Sequence, residues 1–276
     1  MEIIEQAGAF IARHGRAIDQ ARFAYHFSTG DRDDVVASLQ TYQNEDGGFG
    51  HGLEPDITAP ASNPFATELG LTYCVQAEVP PDHPLIRRTE AYLEQSQDDD
   101  GGWRFTPEVY AHPLAPWFQG WEWPNLNPAC TLGGLLRTYK LGSPQLHSKI
   151  EQLFSERATV TDLTGDDFYA VRPYAYYFMA DWQHPQRELY LSGLLWWHIR
   201  GHFNNSFSDA SHFFAYVRSP DSYVGRRLPA HIIAAQLDRL ENEQQPDGGW
   251  PSPYAVHWRS PFTIDSLLML RAFGRI

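Results

Sequence analysis

The sequence predicts an all-α protein, an (α/α)5-6 toroid of helical hairpins around a central cavity. Two observations predict it. A turn motif occurs three times along the chain, each time after an amphipathic helical pattern. No segment of useful length alternates apolar and polar residues as a half-exposed strand does. Five or six hairpins are enough to close into a ring, and an open solenoid is the competing arrangement.

The repeated turn reads glutamine, a few polar residues, then Asp-Gly-Gly-aromatic, at residues 43–49, 97–103 and 244–250. Apolar residues recur at helical spacing before each copy, as Val35, Leu39 and Tyr42 do before the first, which indicates an amphipathic outer helix. Glycine adopts left-handed dihedral angles without steric penalty, so we expect the Gly-Gly pair to end this helix. The aromatic residue then folds back onto the helix end.

A second helix is predicted after each turn, because a capping residue stands directly before a proline. The segments that follow, such as 65–74 and 262–270, are apolar on nearly every side, which indicates buried inner helices. The three start signals are Asn63-Pro64, Asn127-Pro128 and Ser260-Pro261.

The remaining segments give weaker helical patterns. We expect hairpins from residues 2–14 with 16–29, from 143–157 with 167–180, and from 186–200 with 208–218, and a helix cap at Asp181. A length prior of roughly 150 residues per domain allows one or two domains, and toroidal folds stretch a single domain past that value. We therefore expect one toroid domain over residues 1–276.

Composition bounds the partners. The 276 residues include 21 Lys and Arg against 34 Asp and Glu, a formal net charge of −13. Nucleic acids and anionic membranes repel such a chain, so we expect neither as a partner. Hydrophobic residues make up 42% and aromatic residues 14%, which excludes a wholly disordered chain.

Two cysteines, Cys74 and Cys130, cannot form a disulfide framework or a four-thiolate zinc site. The first residues carry acid where a secretory signal needs positive charge, and no stretch approaches the about 18 to 20 apolar residues of a membrane span. We expect a cytoplasmic protein without a membrane span, a metal or a cofactor.

The glutamine turn ending in Asp-Gly-Gly-Phe or Asp-Gly-Gly-Trp, repeated down a helical chain, resembles the turns of the prenyltransferase and squalene-cyclase superfamily. The resemblance rests on three turns, and the hairpin pattern extends it over most of the chain. It implies the toroid fold. It is less specific for chemistry, because the same toroid also houses polysaccharide lyases and glycosidases.

The resemblance also implies particular site residues. Class II terpene cyclases use Asp-x-Asp-Asp, whose middle carboxyl protonates an alkene, and residues 31–34 match it with Asp33 in the middle. The alternative is that these acids complement the dipole of an outer helix. Protein prenyltransferases bind zinc through Asp-x-Cys, which neither Thr72 before Cys74 nor Pro128 before Cys130 provides.

In a helical ring the loops before the inner helices line the cavity, so we searched them for polar residues. The first loop carries His51, Glu54 and Asp56. A histidine and two carboxylates this close suit acid–base chemistry when their surroundings separate their pKa values. The alternative is that Glu54 and Asp56 brace an irregular loop.

The second loop is strongly aromatic and includes Trp117, Trp121, Glu122 and Trp123. Aromatic faces stabilise carbocations and stack on sugar rings, so this loop is a candidate for substrate binding. The alternative is that the rings fill core space at the mouth of the ring.

The third loop carries Tyr254, His257, Trp258 and Arg259 as further candidates for substrate binding. Arg259 suits an anionic group such as a diphosphate or a uronate. A surface loop with a braced arginine explains the same residues.

We expect an enzyme similar to terpene cyclases and prenyltransferases, which binds a hydrophobic isoprenoid and starts cyclisation or isomerisation by proton transfer. The carboxyl of Glu54, Asp56 or Asp33 would supply the proton. The alternative is a polysaccharide lyase or glycosidase, in which Glu54 with Asp56, or His51 with Tyr254, does the acid–base work on a glycan. A third alternative is a non-catalytic binding module on the same scaffold.

Overall fold

The fold is all-α, as the sequence predicts. The computed structural model describes residues 2–180 and 183–276, so the helix cap expected at Asp181 lies outside the described residues. Within these ranges there are thirteen α-helices and no β-strand, only the isolated bridges Gln43 to Phe49 and Ile57 to Leu114. The helices are α1 (Glu2–His14), α2 (Ala17–Phe27), α3 (Arg32–Gln40), α4 (Pro64–Gln76), α5 (Pro84–Ser96), α6 (Pro107–Tyr110), α7 (Leu126–Tyr139), α8 (Pro144–Arg157), α9 (Phe168–Tyr177), α10 (Arg187–Asn204), α11 (Ala210–Phe214), α12 (Ala230–Asn242) and α13 (Arg259–Ala272).

The chain forms two compact units, each assembled from segments that are distant in the sequence. We call them the terminal unit and the middle unit. The terminal unit comprises Met1–Asp31, Val160–Val171 and Gln183–Ile276, and the middle unit comprises Arg32–Thr159 and Arg172–Trp182.

Inner and outer helices alternate in the middle unit. The inner helix α4 packs against α5 and α7, and α7 packs against α8. Both inner helices are buried on most sides, and Leu126 to Leu136 are all buried in α7. The start signal of α4 works as predicted, since the Asn63 side chain accepts a hydrogen bond of 2.9 Å from the Ala66 amide and Pro64 occupies the first turn.

The terminal unit joins both ends of the chain. Helix α13 packs against α1, α2, α11 and α12, and α1 also packs against α2. Phe10 and Ile11 of α1 form a core cluster with Ile264 of α13. The first and last hairpins therefore share one hydrophobic core.

The turn glycines serve a different purpose from the one the sequence predicts. Helices α3, α5 and α12 end several residues before their Gly-Gly pairs, so these glycines do not close the last helical turn. The first glycine of each pair has φ between +84° and +93° and presses on a backbone carbonyl of another outer helix. A Cβ atom at Gly47 would lie 2.1 Å from the Arg88 oxygen, so only glycine fits.

The turn glutamines show the same neighbour relation in all three copies. Each side-chain amide donates to a carbonyl three residues before the one that its glycine meets. The pairs are Gln43 to Leu85 at 3.0 Å with Gly47 on Arg88, Gln97 to Leu146 at 3.2 Å with Gly101 on Lys149, and Gln244 to Ile3 at 3.0 Å with Gly248 on Gln6. The last turn thus contacts α1 as the first two contact α5 and α8.

The aromatic residue of the turn folds back on its helix, as expected. The indole of Trp103 donates to the Leu93 carbonyl at 3.1 Å, and that of Trp250 donates to the Leu240 carbonyl at 2.7 Å. Phe49 is fully buried.

Two predicted boundaries were wrong, and for a third helix the predicted capping residue was wrong. Helix α7 is capped by Asn125, whose side chain accepts from the amide of Asn127, and Asn127 has non-helical dihedral angles inside the helix. Helix α13 begins at Arg259, directly after a short 3₁₀ turn, so Ser260 lies inside it. Helix α11 has five residues rather than the predicted eleven, because Ala215 ends it.

Candidate functional site

Glu54 and Asp56 lie in the first loop of the middle unit and are joined by a hydrogen bond. The Asp56 amide donates to the Glu54 carboxylate at 3.4 Å, and the Ile57 amide donates to the Glu54 carbonyl at 3.0 Å. The loop therefore folds back at Pro55 and holds the Glu54 side chain partly buried.

Two inner-helix residues complete this cluster. Glu68 of α4 is buried, and Arg172 of α9 forms an ion pair with its carboxylate. The Arg172 guanidinium also lies over the Tyr176 ring at 4.7 Å. We call Glu54, Asp56, Glu68 and Arg172 the carboxyl cluster.

The carboxyl cluster keeps Glu54 protonated at neutral pH. Burial and the neighbouring carboxylates of Asp56 and Glu68 raise the pKa of Glu54 to about 8, against smaller opposing effects from the Asp56 amide and Arg172. A neutral carboxylic acid at pH 7 is a proton donor. The largest cause is burial, the next is the neighbouring Asp56, and the nearby Arg172 opposes them only weakly because it is paired with Glu68.

The aromatic loop lies beside this cluster. Phe65 precedes Glu68 by three positions on α4, so the two side chains leave the same side of the helix. The Phe65 ring contacts those of Trp121 and Trp123, with centroids 5.2 and 6.3 Å apart. Phe105 and Phe118 fill the same cluster and are buried.

The second loop is thus core in its interior and exposed at its rim. Trp121 and Trp123 are partly buried, whereas Glu122 is exposed and Trp117 is 48% exposed. The Trp123 indole donates to the Tyr110 hydroxyl at 3.2 Å. The Ala115 amide donates to the Asp56 carbonyl at 3.1 Å, which ties this loop to the first.

His51 and Asp33 lie outside the carboxyl cluster. The exposed His51 hydrogen-bonds through Nε2 to the Asn44 side chain at 2.8 Å and so braces the first turn. Asp33 is exposed in the first turn of α3, where a carboxylate complements the helix dipole. Neither residue has a hydrogen bond or ion pair to Glu54 or Asp56 in the described part of the chain.

The third-loop candidates all lie in the terminal unit. Arg259 binds the turn carboxylate of Asp247 through both Nη atoms, each at 2.8 Å, and holds the pKa of Asp247 at about 2. His257 is exposed and Trp258 is partly buried against Phe262. The fourth candidate, Tyr254, lies 2.6 Å from His212 through its hydroxyl oxygen.

Sequence reasoning missed Glu68 and Arg172. A signal existed for Glu68, because it is a carboxylate inside an otherwise apolar inner-helix pattern, and such a residue needs a partner. Arg172 lies in a segment of weak periodicity, and nothing in its surroundings marks it.

The structure adds three further observations on partners. No group of three or more His, Cys, Asp or Glu side chains in residues 2–180 and 183–276 is arranged to hold a metal ion. Both cysteines are buried, and burial raises the pKa of each thiol. Among the helices described, none has the length and apolarity needed to cross a membrane.

No protein-family model, curated protein or solved structure matches the chain.

Proposed function

We propose that the protein binds a hydrophobic isoprenoid ligand and acts on it by proton transfer, with Glu54 as the proton donor. The observation that carries this proposal is a carboxyl with a pKa of about 8, in the loop whose Ile57 packs into a cluster of aromatic rings. It is the combination that proton-initiated cyclisation or isomerisation requires.

The chemistry follows from these surroundings. The O–H bond of Glu54 breaks as a C–H bond forms on a ligand alkene, which leaves a carboxylate and a carbocation. The rings of Phe65, Trp121 and Trp123 present electron-rich faces that stabilise such a cation. Water removes a proton from another carbon to end the reaction, and Glu54 takes up a proton from the solvent, so the product is an isomer of the substrate.

The toroid architecture belongs to the same proposal. A closed ring of hairpins requires that the last hairpin contact the first as every other hairpin contacts its successor. The bonds from Gln244 to Ile3 and the approach of Gly248 to Gln6 repeat the relation seen in the two earlier turns, and they support this arrangement. A superhelix with free ends would lack them.

Deuterium incorporation tests the proposal. The protein is incubated in D₂O with squalene, farnesyl diphosphate or geranylgeranyl diphosphate, and the products are analysed by mass spectrometry. We expect one deuterium per product molecule with the wild type and none with Glu54→Gln. The matched control is Glu45→Gln, an exposed carboxyl in the first turn. Equal incorporation by Glu54→Gln and wild type would contradict the role of Glu54.

A second candidate function is carbohydrate binding or cleavage. The observation that favours it is the rim of the aromatic loop, where Trp117 is 48% exposed and the neighbouring Trp121 and Trp123 are partly exposed. Exposed indole faces stack on sugar rings. Thermal-shift measurements separate the two functions, because a ligand stabilises the folded state to which it binds. Stabilisation by oligosaccharides and not by prenyl diphosphates would favour the second function.

A further inference from the structure

A hydrogen-bonded relay of three side chains lies in the terminal unit, apart from the residues of the carboxyl cluster. Asp209 Oδ2 lies 2.7 Å from His212 Nδ1, and His212 Nε2 lies 2.6 Å from the Tyr254 hydroxyl. Asp209 and His212 belong to the start of α11, whereas Tyr254 comes from the loop before α13. The fold therefore brings the three together from distant parts of the sequence.

The protons of this relay can be placed from its partners. Burial raises the pKa of Asp209, but hydrogen bonds from His212 and Ser211 outweigh it and lower the pKa to about 2, so Asp209 is a carboxylate. A carboxylate only accepts, hence His212 Nδ1 carries a proton, and in the neutral imidazole Nε2 is then the acceptor. Tyr254 then donates its O–H to Nε2.

This arrangement is typical of an activated hydroxyl group. Tyr254 carries the hydroxyl, His212 is the base within hydrogen-bond distance, and Asp209 orients the base. Ser208 is not the hydroxyl that His212 activates. Its hydroxyl contacts Nδ1 at 2.9 Å and donates to Asp209, so it lies on the side of the imidazole away from Tyr254. The group that His212 activates is Tyr254.

A cavity of about 100 Å³ reaches the same imidazole. Its remaining lining combines aromatic faces with polar groups, and the Phe168 ring meets that of His212 edge-on at 4.3 Å. The lining includes Phe168, Trp197, Phe207, Ser206, Ser208 and Asp166.

The lining selects a class of ligand. Two serine hydroxyls offer donors and acceptors, and the aromatic rings pack against C–H groups. The Asp166 carboxylate in the lining disfavours an anion, and the volume is smaller than the roughly 150 Å³ of a cavity that holds benzene. A neutral compound of a few carbons with several hydroxyls satisfies all of these conditions.

We propose that His212, which Asp209 orients and Tyr254 contacts, is a polar group of a second ligand site, whose cavity takes a small neutral polyol. Tyr254 exchanges a proton with His212, and Asp209 is a positioning residue that fixes the imidazole. This site is independent of the function proposed for Glu54, since its residues and its cavity lie within the terminal unit.

The reactivity of Tyr254 tests the relay. N-acetylimidazole acetylates tyrosine: the Tyr254 oxygen attacks the acetyl carbon, its proton passes to His212 Nε2, and imidazole leaves with that proton. We expect Tyr254 to react about tenfold faster than Tyr110 and Tyr169, as site-resolved mass spectrometry would show. Both reference residues are about half exposed and Tyr254 is less so, which makes exposure work against the expected result. Equal or slower reaction of Tyr254 would overturn the relay.

Substitutions test whether the reaction rate of Tyr254 depends on His212 and Asp209. His212→Gln should reduce the Tyr254 rate to that of the reference tyrosines, whereas the control His231→Gln, an exposed histidine of α12, should not change it. Asp209→Asn retains the helix cap but removes the charge, so it should slow Tyr254 with α11 intact. An unchanged rate in both relay variants would refute the mechanism, and circular dichroism checks their folding.

The ligand class has its own test. In protein labelled with ¹⁵N-histidine, we expect glycerol and erythritol to shift the His212 imidazole resonance, which the His212→Gln spectrum identifies. Glycerate, of similar size but negatively charged, should leave it in place. A shift with glycerate alone, or with none of the three compounds, would overturn the polyol assignment.

Discussion

The carboxyl cluster and the Asp209 relay treat the same functional group in opposite ways. In the middle unit, burial and the neighbouring carboxylates of Asp56 and Glu68 raise the pKa of Glu54 to about 8. In the terminal unit, donors from His212 and Ser211 lower the pKa of Asp209 to about 2. Glu54 is partly buried in a loop and Asp209 is buried at a helix end, and burial raises the pKa of each, so burial alone does not decide their charge.

The two carboxyls differ in the hydrogen bonds that they accept. Glu54 has one weak backbone donor at 3.4 Å, and the nearby Arg172 is paired with Glu68. Asp209 accepts from the His212 amide at 3.0 Å, from the His212 imidazole and from Ser211. A carboxyl with few donors keeps its proton, whereas one with several loses it.

The largest expected effect tests the cation of the carboxyl cluster. Arg172→Met keeps much of the side-chain bulk but leaves the Glu68 carboxylate buried without its ion pair. We expect the free energy of unfolding at pH 7 to fall by about 3 to 4 kcal/mol, as measured by urea denaturation. The double variant Glu68→Gln/Arg172→Met should recover most of that loss, and failure to recover would show that Arg172 acts through other contacts.

The next prediction concerns the proton of Glu54. Because the pKa of Glu54 is higher in the folded state than the ordinary value of 4.5, the folded state binds more protons than the unfolded state between these values. Stability from Glu54 is present at low pH and is lost as pH rises through about 8. Glu54→Gln removes this dependence, so we expect it to gain about 2 to 3 kcal/mol over wild type between pH 5 and pH 9.

Thermal denaturation of both proteins across this pH range measures the difference. Glu45→Gln serves as the control, since Glu45 is exposed in the first turn. Parallel pH profiles for wild type and Glu54→Gln would remove the contrast between the two clusters.

For Asp209 we expect the opposite pH dependence of the free energy of unfolding. Its pKa is lowered in the folded state, so its contribution is present above about pH 4 and is lost as pH falls toward 2. We expect Asp209→Asn to cost about 2 kcal/mol at pH 7, measured by urea denaturation, and almost nothing near pH 2. A cost that persists at low pH would mean that the loss in Asp209→Asn does not come from the charge of Asp209.

The smallest effect belongs to Tyr254. Tyr254→Phe removes the hydroxyl and leaves the buried His212 Nε2 without its donor. We expect a loss of about 1 kcal/mol in the free energy of unfolding. His212→Gln combined with Tyr254→Phe should cost less than the sum of the two single changes, and strict additivity in this double-mutant cycle would indicate that the bond contributes nothing.

Much of the helical pattern was predictable, because it depends on local periodicity and on local start signals. Asn63-Pro64 begins α4 as expected, and Ser143 caps α8 through the Leu146 amide at 3.1 Å. The role of Gly47 was not predictable. Its positive φ was expected from the motif, but the carbonyl that it meets belongs to α5, and no local pattern predicts that contact.

The candidate site was predictable in part for the same reason. Glu54 and Asp56 are close in sequence, so their pairing in one loop was visible, whereas Arg172 is more than one hundred residues away. Tyr254 was singled out for its loop, but its partner His212 lies in a segment with weak helical signal. Long-range partners of polar residues depend on the tertiary fold, which periodicity does not encode.

The contact between the last turn and α1 has a consequence for folding during translation. The middle unit is complete once residue 182 has left the ribosome, but α1 meets Gln244 and Gly248 only when the last hairpin has been made. Until then the apolar face of α1, with Phe10 and Ile11, lacks its native contact with Ile264 of α13. Helix α1 is translated well before the last hairpin and reaches its final environment only after that hairpin has been made.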